Sequence, residues 1–184
     1  MKKSEIRKKI IKLRKKNYSK NININFQSII NILRKKKYKK KSVGGYYSYN
    51  YEANVIPILE KFEKLNYITS IPKIGKRYNM NFFVWSINDP LNINKYGIPE
   101  PITNKIIYPD ILLVPLVAYD GDKNRIGYGG GFYDRYIKKI KKIKKVLTIG
   151  VAFSYQKVKK IPIEKNDIKL DFIITEKNKW EYYS

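Results

Sequence analysis

At 184 residues the chain is the size of one domain, 1–184, and long enough to bury a core. It contains no cysteine and no histidine, which excludes disulfides, thiolate nucleophiles, zinc held by Cys or His, and imidazole acid–base catalysis. Lys+Arg number 40 against 15 Asp+Glu, a formal charge of +25 that attracts polyanions, although lysine is spread along nearly every segment beside Ile, Asn and Tyr, as AT-rich codons would produce. No apolar run approaches the roughly 20 residues of a membrane span and no signal-peptide core heads the chain, so the expected compartment is cytoplasmic.

In chain order, Ile6, Ile10 and Leu13 recur at i, i+4, i+7 and predict an amphipathic helix over Lys3 to Lys16. Lys3, Arg7 and Arg14 form a second, cationic stripe on it, and a solvated face is the plain reading of such a stripe. Asn17 to Asn25 is polar and low in complexity, hence a loop; Phe26, Ile29, Ile30 and Leu33 mark a second helix that ends at the lysine run Lys35 to Lys41. Ser42 to Tyr47 reads as a strand entering a turn. Glu52 then precedes a helix with Val55, Ile58, Leu59, Phe62 and Leu65 on one face and Pro57 tolerated in its first turn. An acid at such a place ordinarily caps the helix or meets its dipole.

Tyr67 to Pro72 and Met80 to Trp85 are the next strands, separated by the basic turn Lys73 to Arg77, and Met80, Phe82, Phe83 and Trp85 are expected in the core. Pro90 interrupts the segment after Trp85. In Tyr96-Gly97-Ile98-Pro99-Glu100-Pro101 two prolines stiffen a loop, which reads as a wall with Glu100 as its acid. Asp110 to Pro115 is a continuous apolar run of strand length, and Tyr133, Tyr136, Ile137 and Ile140 recur at helical spacing. Between them, Asn124 to Tyr136 holds four of the chain's ten glycines. A strand, a glycine loop and a helix in that order direct free N–H groups and the positive end of a helix dipole at one spot, which suits a phosphate. Arg125 and Arg135 add charge at its edges. The loop is not a Walker A sequence, since no Gly-Lys-Ser/Thr closes it, and it fails the dinucleotide fingerprint because Phe132 sits where the last glycine should be; by pattern alone a structural turn serves as well. A polybasic stretch leads to the strand Val146 to Ala152, Asn166 and Asp167 suit a turn, and Phe172 to Thr175 is the closing strand. Apolar runs without alternation, separated by helices, indicate an α/β fold with a largely parallel sheet covered on both faces.

The run Arg125-Ile126-Gly127-Tyr128-Gly129-Gly130-Gly131-Phe132-Tyr133-Asp134-Arg135 closely resembles the signature of the 5-formyltetrahydrofolate cyclo-ligase, or 5,10-methenyltetrahydrofolate synthetase, family. That signature is of the type Arg-Leu-Gly-Tyr-Gly-Gly-Gly-Tyr-Tyr-Asp-Arg, and the departures are Ile126 and Phe132. Lys3-Ser4-Glu5-Ile6-Arg7 resembles the family's opening Lys-x-x-Leu-Arg, Tyr47 and Glu52 its Tyr-x-x-x-x-Glu, and Gly97 to Pro101 its Gly-Ile-Pro-Glu-Pro. Ile161 to Asp171 is similar to its Pro-Val-x-x-x-Asp-x-x-Leu-Asp. Some members keep a basic residue where Phe82-Phe83-Val84 stands here.

The resemblance implies a three-layer α/β/α arrangement of the NagB/RpiA/CoA-transferase-like kind and a reaction that cyclises 5-formyltetrahydrofolate to 5,10-methenyltetrahydrofolate with ATP, releasing ADP and phosphate. ATP phosphorylates the formyl oxygen and N10 attacks the activated carbon, so no side chain serves as a covalent nucleophile. ATP is implied at Lys3, Arg7, Arg125, Ile126, Gly127, Tyr128, Gly129, Gly130, Gly131, Phe132 and Tyr133. The folate is implied at Tyr47 and Glu52 and again at Tyr128, Gly129, Gly130, Gly131 and Phe132, and Mg2+ at Asp134 and Asp167. A monomer that takes no nucleic acid and no membrane is expected. The competing reading is a basic nucleic-acid-binding module, with 17 tyrosines interleaved among cations, in which the glycine run has no role; a phosphosugar enzyme of similar fold is a third.

Overall fold

The computed structural model of the chain describes residues 1–19, 22–39, 41–75 and 79–177. Its strands are β1 (Ser42–Gly44), β2 (Ile68–Ile74), β3 (Met80–Val84), β4 (Leu91–Ile93), β5 (Pro99–Pro101), β6 (Ile106–Ile107), β7 (Ile111–Pro115), β8 (Ala118–Tyr119), β9 (Arg125–Ile126), β10 (Leu147–Val151) and β11 (Phe172–Ile174). Its α-helices are α1 (Lys3–Asn17), α2 (Phe26–Lys35), α3 (Ile56–Lys64) and α4 (Phe132–Ile143). A seven-stranded sheet in the order β11-β10-β7-β1-β2-β3-β6 forms the middle layer. From β11 to β2 every pairing is parallel; β3 and β6 add an antiparallel edge.

The runs that read as strands without alternation are buried on both faces. Leu147 to Val151 pairs with Ile111 to Pro115 in the middle of the sheet, where all of β10 is buried. Successive side chains point to opposite faces. Ile111 and Leu113 join Ile29, Leu33, Leu59 and Phe62 of α2 and α3, while Leu112 and Val114 join Tyr136, Ile137 and Ile140 of α4. Three layers result, as the sequence implies. A third cluster packs Ile6 and Ile10 of α1 on Val117, Ala118 and Ile126 of the β8–β9 hairpin.

Several expectations change. Lys73 and Ile74 continue β2 rather than starting the turn, and Pro99 to Pro101 form β5 rather than a loop. β1 stops at Gly44 rather than Tyr47, with the Gly45 amide making a last bond to the Ser70 carbonyl of β2 at 2.8 Å. The buried stripe of α1 runs Ile6, Ile10, Arg14, whereas Leu13 is half-buried. The β8–β9 hairpin separates β7 from the glycine loop, so the strand feeding that loop is β9. Phe83 lies partly exposed on β3 with the Lys73 ammonium 4.6 Å from its ring centroid, while Met80, Phe82 and Trp85 are core. Lys20 and Asn21 of the polar loop, Lys40 of the lysine run, and Lys76 and Arg77 of the basic turn lie outside the described residues. Among the described residues, no helix is long and apolar enough to cross a membrane.

Candidate active site

A cavity of about 1170 Å³ opens beyond the carboxyl ends of β1, β2 and β7, the end of a parallel sheet where ligands gather. Its walls are the first turn of α1, the Tyr46–Glu52 segment, the β4–β5 hairpin, the glycine loop with the start of α4, and the Pro162–Asp167 turn.

The glycine loop is built to present its backbone. Gly129 and Gly131 have φ of 105° and 64°, the left-handed side that side chains avoid, and Gly131 is the residue from which α4 starts. Among the described residues, the amides of Gly127, Tyr128, Gly129, Gly130 and Gly131 donate to no protein acceptor. They stand open at a helix N-terminus, the arrangement that binds anions. The loop's carbonyls are tied down instead. Arg7 Nε donates to the Gly127 carbonyl at 2.8 Å and Arg135 Nη2 to that of Gly130 at 2.5 Å. A Cβ built on Gly129 would lie 3.7 Å from the Arg7 guanidinium, so Arg7 runs alongside the cradle.

Two of the three candidate phosphate cations, Lys3 and Arg125, and the two candidate metal ligands meet as ion pairs. Lys3 Nζ lies 2.5 Å from Asp167 Oδ2 and 3.2 Å from Glu164. The buried Arg125 holds Asp134 Oδ1 through Nη2 at 2.7 Å. The Ile168 amide donates to the same Asp134 oxygen at 3.2 Å, which brings the turn carrying Asp167 against Asp134. Among the described residues no cluster of three or more His, Cys, Asp or Glu able to hold a metal occurs. Mg2+ needs none: it is held by one or two carboxylates while substrate phosphates and water complete its shell. Asp134 Oδ2 and Asp167 Oδ1 lie outside the bonds just described, and this hard-oxygen donor set fits Mg2+ carried in with a nucleotide.

At the other end, Tyr47 packs edge-on against Trp85 with ring centroids 5.7 Å apart, and Glu52 is 5% exposed. Glu52 is no helix cap. α3 starts beyond it at Ile56, and the Glu52 carboxylate accepts from the Tyr49 amide at 2.9 Å. Burial raises its pKa to about 7, against the lowering pull of that amide and of the Arg14 charge. The phenols of Tyr46 and Tyr133 are pushed up by burial and then by Glu52, and among the described residues the buried Tyr133 hydroxyl has no hydrogen-bond partner.

Tyr128 and Phe132 line the cavity between the two ends. Ile126 is 1% exposed with its side chain in the α1–hairpin core, so it offers the site backbone only. Glu100 accepts from the Ile74 amide and from Asn94 Nδ2, both at 2.8 Å, which fastens the β4–β5 hairpin to β2 as a wall. Sequence reasoning passed over Asn94 and Lys138, which line the cavity along with Tyr96 of the expected wall, and took Arg14 for part of a solvated face although it is completely buried. A cationic stripe continuous with Lys3 and Arg7 was its signal.

Residues 1–176 match the model of the 5-formyltetrahydrofolate cyclo-ligase family. The chain is 30% identical to the 5-formyltetrahydrofolate cyclo-ligase of Haemophilus influenzae over 78% of its length and 79% of that protein's. The Escherichia coli K12 enzyme of that name is also 30% identical, over 77% and 81%. The solved Aquifex aeolicus 5,10-methenyltetrahydrofolate synthetase superposes with a TM-score of 0.75 at 30% identity, covering 97% of this chain and 91% of that one. With the open cradle and the buried carboxylate facing one cavity, these likenesses leave one placement: the chain belongs to the 5-formyltetrahydrofolate cyclo-ligase family.

Proposed function

We propose that this chain closes 5-formyltetrahydrofolate into 5,10-methenyltetrahydrofolate at the expense of ATP, in one cavity, with the terminal phosphate on the Gly127–Gly131 amides and the pterin at Glu52. The observation that carries it is the set of unpartnered amides at the start of α4, facing the same cavity as the buried carboxylate. A formamide is stable because its oxygen leaves badly. In the proposed sequence that oxygen attacks the terminal phosphorus and ADP departs. N10 then attacks the formyl carbon and loses its proton, and the C–O bond breaks as phosphate leaves. Positioning and charge neutralisation suffice for such steps, which suits a chain without His or Cys.

Lys3, Arg7 and Arg125 balance the triphosphate charge in this reading, and Asp134 and Asp167 hold Mg2+ directly or through water. The ion neutralises charge on the phosphates. Tyr47 flanks the pterin and Glu52 accepts its paired N–H donors, while Tyr128 and Phe132 border the formyl group. This reading takes the chain as a monomer acting as a single domain. The test is methenyl absorbance with ATP, magnesium and 5-formyltetrahydrofolate. ATP-dependent product is expected; salt-sensitive oligonucleotide binding or ribose-phosphate turnover in its place would overturn the reading.

A further inference from the structure

Arg14 is left unused by those roles, yet it is completely buried and sits two helical turns beyond Arg7. Among the described residues it has no carboxylate in ion-pair reach. Nη1 donates to the Leu116 carbonyl at 3.3 Å, Nη2 to the Tyr128 hydroxyl, and Nε finds no hydrogen-bond acceptor among the described residues. A buried guanidinium held so sparingly is costly to keep, so the question is what its one side-chain bond achieves.

Tyr128 belongs to the glycine loop. Its hydroxyl accepts from Arg14 and donates to the Tyr49 carbonyl at 3.2 Å, and the Tyr49 and Tyr128 rings meet edge-on with centroids 5.6 Å apart. The Tyr49 amide in turn binds Glu52. One relay therefore runs Arg14, Tyr128, Tyr49, Glu52, from the first helix through the phosphate cradle to the pterin end. Asn50 and Tyr51, on the same segment, have φ of 51° and 64°; two successive non-glycine residues persist there only under outside restraint, and Tyr128 supplies a restraint.

We infer that Arg14 is a positioning residue: through the Tyr128 phenol it locks the glycine loop to the Tyr46–Glu52 segment, so that filling the phosphate cradle tightens folate binding at Glu52 and the reverse. The inference rests on the functional reading above and adds to it a coupling between the two ligands. By linkage the coupling must be reciprocal.

Calorimetry on the full chain tests it. Titrations of 5-formyltetrahydrofolate with and without a saturating magnesium complex of a non-hydrolysable ATP analogue, which carries the terminal phosphate, are made on wild type, Arg14→Met, Tyr128→Phe and the double variant. In wild type the analogue tightens folate binding about ten-fold, within the usual range of such couplings. Each single variant loses that factor and the double variant loses nothing more. A residue that merely props the fold would lower the melting temperature and leave the factor intact, and that result overturns the inference. So does a wild type that turns over 5-formyltetrahydrofolate but shows no coupling. Should Arg14→Met fail to fold, Tyr128→Phe removes a single hydroxyl from a partly exposed ring and decides alone. Wild type without methenyl product strikes the functional reading instead, and the calorimetric factor still decides this one.

Discussion

Glu52 carries a stability that depends on pH with a definite sign. Burial raises its pKa in the folded chain to about 7 from 4.5. Its contribution is therefore fully present below pH 4.5 and is lost as pH rises through 7, when a buried carboxylate must ionise. The change corresponds to about 3 kcal/mol at most. Glu52→Gln keeps the shape without the ionisation, so its melting temperature should gain on wild type from pH 5.5 to pH 8, and a constant difference would refute the assignment. Pterin N–H donors favour the carboxylate, so folate binding near pH 6 should release a proton, read as a binding heat that depends on the buffer's ionisation enthalpy. Asp134 is a second case. Asp134→Asn should abolish turnover, and it should also destabilise by about 3 kcal/mol, because the buried Arg125 loses the carboxylate that pairs it. Asp134 also stands in the first turn of α4, but its ion pair with Arg125, more than the helix dipole, sets that cost.

At the scale of elements, β1 shows why a short strand tolerates little. A Cβ on Gly44 would lie 2.8 Å from Phe82 Cε1 and 2.9 Å from Pro109 Cγ, both on stiff rings. Gly44→Ala should cost about 1–3 kcal/mol by overpacking and leave the Michaelis constants of the folded fraction unchanged, which denaturation beside steady-state kinetics would check. The first turn of α1 is different. Lys3→Ala removes a cavity cation and frees Asp167, so the Michaelis constant for ATP should rise more than that for the folate; the reverse order would take Lys3 out of the phosphate site. These two elements also mark what was legible. Runs such as Ile111 to Val114 announce a strand buried on both faces, and the glycine run announces a backbone cradle. The β8–β9 hairpin, two residues a side, is too short to leave a period. Arg14 was misread because the helix buries the stripe Ile6, Ile10, Arg14 against segments more than a hundred residues away, and no local pattern records that. The pairing of Lys3 with Asp167 and Arg125 with Asp134 is likewise tertiary.

The charge of +25 belongs to the whole molecule, since 15 acids cannot neutralise 40 bases wherever they stand. Like charges over a small surface repel one another and weaken the folded state. Screening shortens that repulsion to about 10 Å at 0.1 M salt. The same field draws ATP and the carboxylates of a folate toward the cavity, whose rim carries Lys2, Lys3, Arg7, Arg135 and Lys138. Added salt should thus strengthen the fold while it weakens the capture of ATP. Between about 0.02 and 0.2 M sodium chloride, a range over which the screening length falls about three-fold, the melting temperature should rise while the Michaelis constant for ATP increases. An uncharged denaturant would shift both toward loss. A melting temperature that falls over this range would mean that attractive pairs such as Lys144 with Asp110, not the excess of cations, govern the stability of the fold.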